Sequence, residues 1–215
     1  MNFEQVLNTI PANVTLCAVS KTKPAEAIMD LYNQGQRVFG ENKVQELCDK
    51  YEVLPKDIEW HQIGHLQTNK VKYMASFVSM IHAVDSLKLL QEINKQAAKH
   101  NRVIDCLLQF HIAQEETKFG MDRSEVEELI QSLKENPLPN IRLRGVMGMA
   151  SFVDDESQVR TEFKTLKENF DWLKANHIPS EDFNQISMGM SGDYSIAIEE
   201  GSTLVRLGSI LFGSR

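Results

Sequence analysis

The sequence predicts a single (β/α)8 TIM barrel of the α/β class. Three observations lead to it. Short β-rich apolar runs alternate with amphipathic stretches of helical length, the count of such runs reaches eight, and no linker-like or low-complexity segment divides the 215 residues. One domain, residues 1–215, follows. An open doubly wound sheet shares the alternation, but no Gly-x-Gly-x-x-Gly follows the first strand, and eight units favour closure.

The elements follow in order. Residues 13–20 form the first apolar run, and Pro24 is placed to open a helix over 24–34. A short strand at 37–39 precedes a helix at 41–52, where Val44, Leu47, Cys48 and Tyr51 keep helical spacing. Strands at 59–63 and 77–84 flank a helical stretch at 68–75. The long helix 86–100 repeats Leu87, Leu90, Ile93 and Ala97 at intervals of three and four. The most hydrophobic strand spans 103–112. A helix over 123–136 has Ser124 as its candidate cap and ends at Asn136-Pro137. Strand 141–149 leads to the helix Glu156–Asn176, strand 184–188 to a short helix at 194–200, and the last strand is 203–207.

Composition narrows the function. Apolar content of 42% and charged content of 25% are ordinary for a globular domain. A formal net charge of −7 argues against nucleic-acid binding, which rests on an excess of Lys and Arg. The three cysteines, Cys17, Cys48 and Cys106, are scattered and suggest neither a disulfide framework nor a metal site. No signal peptide and no membrane-spanning run is read, so a cytoplasmic location is expected.

Barrel chemistry sits at the C-terminal ends of the strands. The first strand ends in Ser20-Lys21-Thr22-Lys23. A lysine in a partly apolar mouth can act as a neutral amine and attack an aldehyde, whereas a surface lysine is the plainer reading. Lys23 is expected to lie outside, its charge biasing Lys21 towards the neutral form. The last two strands end in Met188-Gly189-Met190-Ser191-Gly192-Asp193 and Gly208-Ser209. Glycines there let backbone N–H groups approach an anion, and barrels often bind phosphate at this corner. Arg206 could add a charged contact. Lysine and phosphate cup together suit an aldehyde that carries a phosphate. Pyridoxal 5′-phosphate fits, and a phosphosugar aldolase is the alternative.

Smaller candidates complete the list. Asn42 either touches a ring substituent or starts a helix. Met147, with Met149, Met188 and Met190, packs or forms an apolar wall. His61 and His82 read as satisfied barrel residues. Glu115-Glu116 reads as a solvated face.

Six segments together resemble the pyridoxal phosphate homeostasis proteins, the YggS/PROSC family. They are Ala18-Val19-Ser20-Lys21-Thr22-Lys23-Pro24, Phe39-Gly40-Glu41-Asn42, Trp60 through Lys70 (WHQIGHLQTNK), Arg144-Gly145-Val146-Met147, Ser187-Met188-Gly189-Met190-Ser191 and Gly201 through Gly213 (GSTLVRLGSILFG). They run in order over nearly the whole chain. The resemblance implies a fold-type III barrel, like the N-terminal domain of alanine racemase, holding pyridoxal phosphate as an internal aldimine at Lys21. It places Ser191, Gly208 and Ser209 at the phosphate, Arg206 at the phosphate or the ring nitrogen, and Asn42 and Met147 along the pocket.

The implied role is regulatory: cofactor binding and buffering in vitamin B6 homeostasis, without established turnover, with apo-enzymes that use the cofactor as partners. A small amino-acid racemase, or another enzyme using the cofactor, is the alternative. It needs a second domain, for which no residues follow Phe212-Gly213-Ser214-Arg215, and an opposing tyrosine, for which only Tyr194 lies near a strand end. Without that domain a monomer is expected. Two departures from the family stand out: a short segment before Lys21, leaving little room for a long leading helix, and His65, which carries no family role.

Overall fold

A computed structural model of the chain describes residues 2–115 and 119–213; Glu116, Ser214 and Arg215 lie outside them. Eight parallel strands close into a barrel in sequence order. They are β1 (Thr15–Val19), β2 (Val38–Glu41), β3 (Glu59–Gln62), β4 (Met80–Val84), β5 (Ile104–Gln109), β6 (Ile141–Met147), β7 (Gln185–Ser187) and β8 (Leu204–Leu207). The helices are α1 (Phe3–Leu7), α2 (Ala25–Asn33), α3 (Val44–Val53), α4 (Val71–Met74), α5 (Leu87–Lys99), α6 (Arg123–Glu135), α7 (Glu156–Asn176), α8 (Tyr194–Glu199) and α9 (Ser209–Phe212), with a 3-10 turn at Thr68–Lys70. The expected (β/α)8 order holds throughout.

Two apolar layers separate according to strand alternation. Ala18, Phe39, Trp60, Ile81 and Val146 face the helices and join the large outer core. Cys17, Met80, Leu107, Met147 and Leu204 face inward and form a smaller cluster inside the barrel. The helices supply the matching stripes; α5 buries Leu89, Leu90, Ile93 and Ala97, and Ser86 caps it by accepting from Leu89 N. Gly145 marks a register shift between β5 and β6. An added Cβ there would stand 1.7 Å from the Gln185 carbonyl oxygen, so β7 packs where no side chain fits.

Three sequence expectations need correction, and the reading of the N-terminus holds. Strand β4 begins at Met80, not 77, because the backbone N–H groups of Phe77 and Val78 turn back to the Met74 carbonyl, while the Phe77 ring stacks on Tyr51 with centroids 3.8 Å apart. The cap of α6 is Asp122, whose carboxylate accepts from Glu125 N while Glu125 returns the bond in a capping box; Ser124 only donates to Asp122. The short leading segment, as expected, holds no long helix among its described residues. Its helix is the five-residue α1, closed by an Asn2–Gln5 capping box and anchored by buried Phe3 and Val6. Glu115 is not merely a solvated acid, since its Oε1 accepts from Phe152 N at 3.1 Å. Among the described residues no helix is long and apolar enough to cross a membrane.

Candidate functional site at the barrel mouth

Strand β1 delivers Lys21 to the C-terminal end of the barrel. Cys17 points inward and Ala18 outward, so the same alternation carries Lys21 towards the interior face and Ser20 towards α3. Lys21 is half-buried, and its amine makes no hydrogen bond or ion pair among the described residues.

The backbone on either side of Lys21 is gripped from outside the barrel. Ser20 Oγ donates to Glu41 Oε1 at 2.6 Å, and Lys50 Nζ donates to the Ser20 carbonyl at 2.7 Å. Thr22, a β-branched residue in the left-handed region with φ 64°, donates its N–H to Glu46. Lys50 joins both acids, 2.6 Å from Glu41 Oε1 and 2.8 Å from Glu46 Oε1. Burial pushes the Glu41 carboxyl above its usual range, with Lys50 and Ser20 pulling it part of the way back. The sequence shows Glu46 and Lys50 one helical turn apart, but not that they reach across to β1.

Lys23 takes a different place from the one expected. Its ammonium donates to the carbonyls of Phe212, at 3.0 Å, and Gly213, at 3.2 Å, tying the β1 loop to the segment after β8.

The last two strands build a set of converging donors. Ser191 Oγ accepts from the N–H of Gly208 at 3.2 Å and of Ile210 at 3.4 Å, so the serine oxygen occupies the place an anion oxygen would take. The preceding turn needs Gly189 (φ 96°), where an added Cβ would lie 2.6 Å from Ala197 Cβ. Asp193 closes the turn by accepting from Met190 N. Ser209 is exposed at the start of α9. Gly208 lies directly across from β1, where a Cβ would stand 3.2 Å from the Val19 carbonyl oxygen. Lys21 and this donor set therefore share one rim.

Arg206 sits apart from that cup, inside the barrel. It is 4% exposed, donating from Nη1 to the Ser187 carbonyl at 2.8 Å and to Ser187 Oγ, and from Nη2 to the Gly148 carbonyl at 3.1 Å. Burial lowers its pKa to about 10, with Cys17 and Asp193 opposing, which leaves the guanidinium charged at neutral pH. Burial in turn raises the Cys17 thiol to about 12.

On the other side of Lys21, Asn42 follows β2. Its carbonyl accepts from Gln62 Nε2 at 3.0 Å, and Gly64 packs so closely over it that a Cβ would meet the Asn42 carbonyl at 2.5 Å. Met147, the last residue of β6, is fully buried in the interior cluster. His65 pairs with Asp85, Nδ1 to Oδ2 3.2 Å, and stacks on Phe119 with centroids 4.1 Å apart. Tyr194, the one tyrosine near a strand end in the sequence, has its hydroxyl 3.0 Å from Thr9 Oγ1, in the segment after α1.

Comparison with known proteins identifies the family. The family model for the alanine racemase N-terminal domain matches residues 1–215. A pyridoxal phosphate homeostasis protein of Aquifex aeolicus is 44% identical over 93% of this chain and 86% of its own length. One from Escherichia coli K12 is 38% identical over 95% and 87%. The solved structure of PipY from Synechococcus elongatus with PLP bound superposes with a TM-score of 0.88 at 32% identity, covering 98% of this chain and 97% of PipY. Alanine racemase of Clostridium difficile shares the fold, with a TM-score of 0.75 at 17% identity, and this chain covers 57% of it. By fold, by motif and by these relatives, the chain belongs to the pyridoxal phosphate homeostasis proteins within the alanine racemase N-terminal domain family.

Proposed function

We propose that this protein binds pyridoxal 5′-phosphate and serves its homeostasis, holding the cofactor covalently through Lys21. The supporting observation is the convergence at one barrel end of an amine with no partner among the described residues, a two-amide donor set and a buried guanidinium. Each suits one part of the molecule. The Lys21 amine condenses with the aldehyde to an imine, releasing water. The Gly208 and Ile210 amides, with Ser191 and Ser209, take the phosphate. Arg206 is assigned to the ring nitrogen rather than the phosphate, because its partners are the ends of β6 and β7 and not the Ser191 cluster. Asn42 and Met147 border the ring.

The relatives are named as homeostasis proteins and not as enzymes. We extend that reading here to a non-catalytic, cytoplasmic, monomeric carrier whose partners are apo-enzymes that use the cofactor. Engagement of the Tyr194 hydroxyl by Thr9 disfavours the racemase alternative, which needs a tyrosine facing the lysine.

The test is the visible spectrum of wild type and Lys21→Ala with added pyridoxal phosphate. A band near ~420 nm in the wild type alone, fixed by borohydride onto Lys21, is the expected result. The same band in Lys21→Ala, or none in the wild type, would sink the assignment.

A further inference from the structure

Four polar side chains from four strands form one continuous line across the barrel interior, beneath the mouth. Arg206 on β8 donates from Nη1 to Ser187 Oγ on β7. Ser187 Oγ lies 3.0 Å from His82 Nδ1 on β4, and His82 Nε2 lies 2.9 Å from His61 Nδ1 on β3. All four residues are buried. Among the described residues no carboxylate bonds to any of them; Asp193 acts on Arg206 only through space.

Hydrogen-bond chemistry gives this line a single direction. A guanidinium carries donors and no acceptor, so Ser187 Oγ accepts from Arg206; among the described residues the one other partner of that hydroxyl is His82 Nδ1, and the buried O–H is satisfied only by donating there. With Nδ1 accepting, a neutral His82 carries its proton on Nε2 and donates it to His61 Nδ1. His61 then keeps its proton on Nε2. Arg206 thereby dictates the tautomers of two histidines on the far side of the barrel, and they in turn fix where it points.

We propose that Ser187, His82 and His61 are positioning residues for Arg206. They hold the guanidinium in one orientation and leave Nε–H and one Nη2–H unspent, because three of its five donors are committed to Ser187 and Gly148. A buried cation with a neutral, fully oriented support presents those donors to a ligand without being neutralised by a carboxylate. Only the last step, that the ligand is the cofactor ring, rests on the functional reading above.

The first measurement uses the full chain without ligand. Nitrogen-15 NMR of the histidine rings should show His61 and His82 neutral at pH 7 with the proton on Nε2, and the Arg206 Nη resonances should be resolved by hindered rotation. Ser187→Ala should release the His82 tautomer and average the Arg206 signals, and Ser187→Thr, which keeps a hydroxyl, should restore both. A proton on His82 Nδ1, or a His82 cation at pH 7, would overturn the line. So would an Arg206 signal unaffected by Ser187→Ala.

Pyridoxal phosphate is then added. Its Kd should rise about tenfold in Ser187→Ala and return towards wild type in Ser187→Thr. An unchanged Kd despite a loosened Arg206 would remove the positioning role. Wild-type protein with the stated tautomers but no cofactor binding would sink the functional reading while leaving the line intact.

Discussion

The Lys50 ammonium lies 2.6 Å from Glu41 Oε1, both groups withdrawn from solvent directly behind the backbone of Lys21. Such a pair adds little net stability over an apolar replacement, yet removing one partner strands the other charge. Lys50→Met should therefore lower unfolding stability by about 3–5 kcal/mol in urea titrations. Adding Glu41→Gln to Lys50→Met should recover part of that loss. Equal losses in the single and double variants would show that the charges are not coupled.

Lys21 itself should contribute almost nothing to the fold, since its amine bonds to nothing among the described residues. Lys21→Ala should shift urea stability by no more than about 0.5 kcal/mol without cofactor. With pyridoxal phosphate at a hundred times Kd the wild type should gain about 2.7 kcal/mol, and the variant much less. Equal gains would place the binding elsewhere.

Ser191 tests the phosphate cup separately from the lysine. Ser191→Ala should weaken binding of pyridoxal phosphate about tenfold, the value of one or two polar contacts, and leave unphosphorylated pyridoxal nearly unaffected. Parallel losses for both ligands would assign Ser191 to the ring or to the fold.

The buried histidine pair predicts a pH dependence. Burial lowers His61 to about 4, and burial with His61 and Arg206 nearby holds His82 well below the ordinary range. In the unfolded chain an imidazole titrates near ~6.5, so at lower pH the unfolded state binds more protons and stability rises with pH. The contribution is fully present above about pH 6.5 and is lost as pH falls towards 4, on the order of 3 kcal/mol for His61. Glu41, raised by burial, acts in the opposite sense. Urea midpoints at pH 7.5 and 5 should therefore differ, with the acid value lower. A flat profile would show that the imidazoles are not held neutral.

Much of this molecule is legible in its sequence, for physical reasons. Strand and helix periodicities are local, so the eightfold alternation and the run Glu156–Asn176 emerge from spacing alone. That Lys21, Ser191 and Gly208 meet at one rim is legible because strand ends converge in any barrel. What spacing could not show is which polar groups meet across the interior. His82 and Ser187 lie far apart in sequence, and nothing local pairs them. The same holds for Lys50 and Ser20, and for Lys23, whose partners are backbone carbonyls at the opposite end of the chain.

The closure of β8 on β1 has a consequence for how the protein comes into being. The Lys21 amine follows the first strand and the donors of Gly208 and Ile210 follow the final one, joined at the seam where Thr15 through Ala18 pair with Leu204 through Leu207. During synthesis the lysine leaves the ribosome long before the strand that completes its surroundings. The site therefore forms at the latest and most distant closure of the chain, the step with the greatest sequence separation. A nascent or truncated chain could meet the cofactor but not retain it, so cofactor retention would serve as a reporter that the chain has closed.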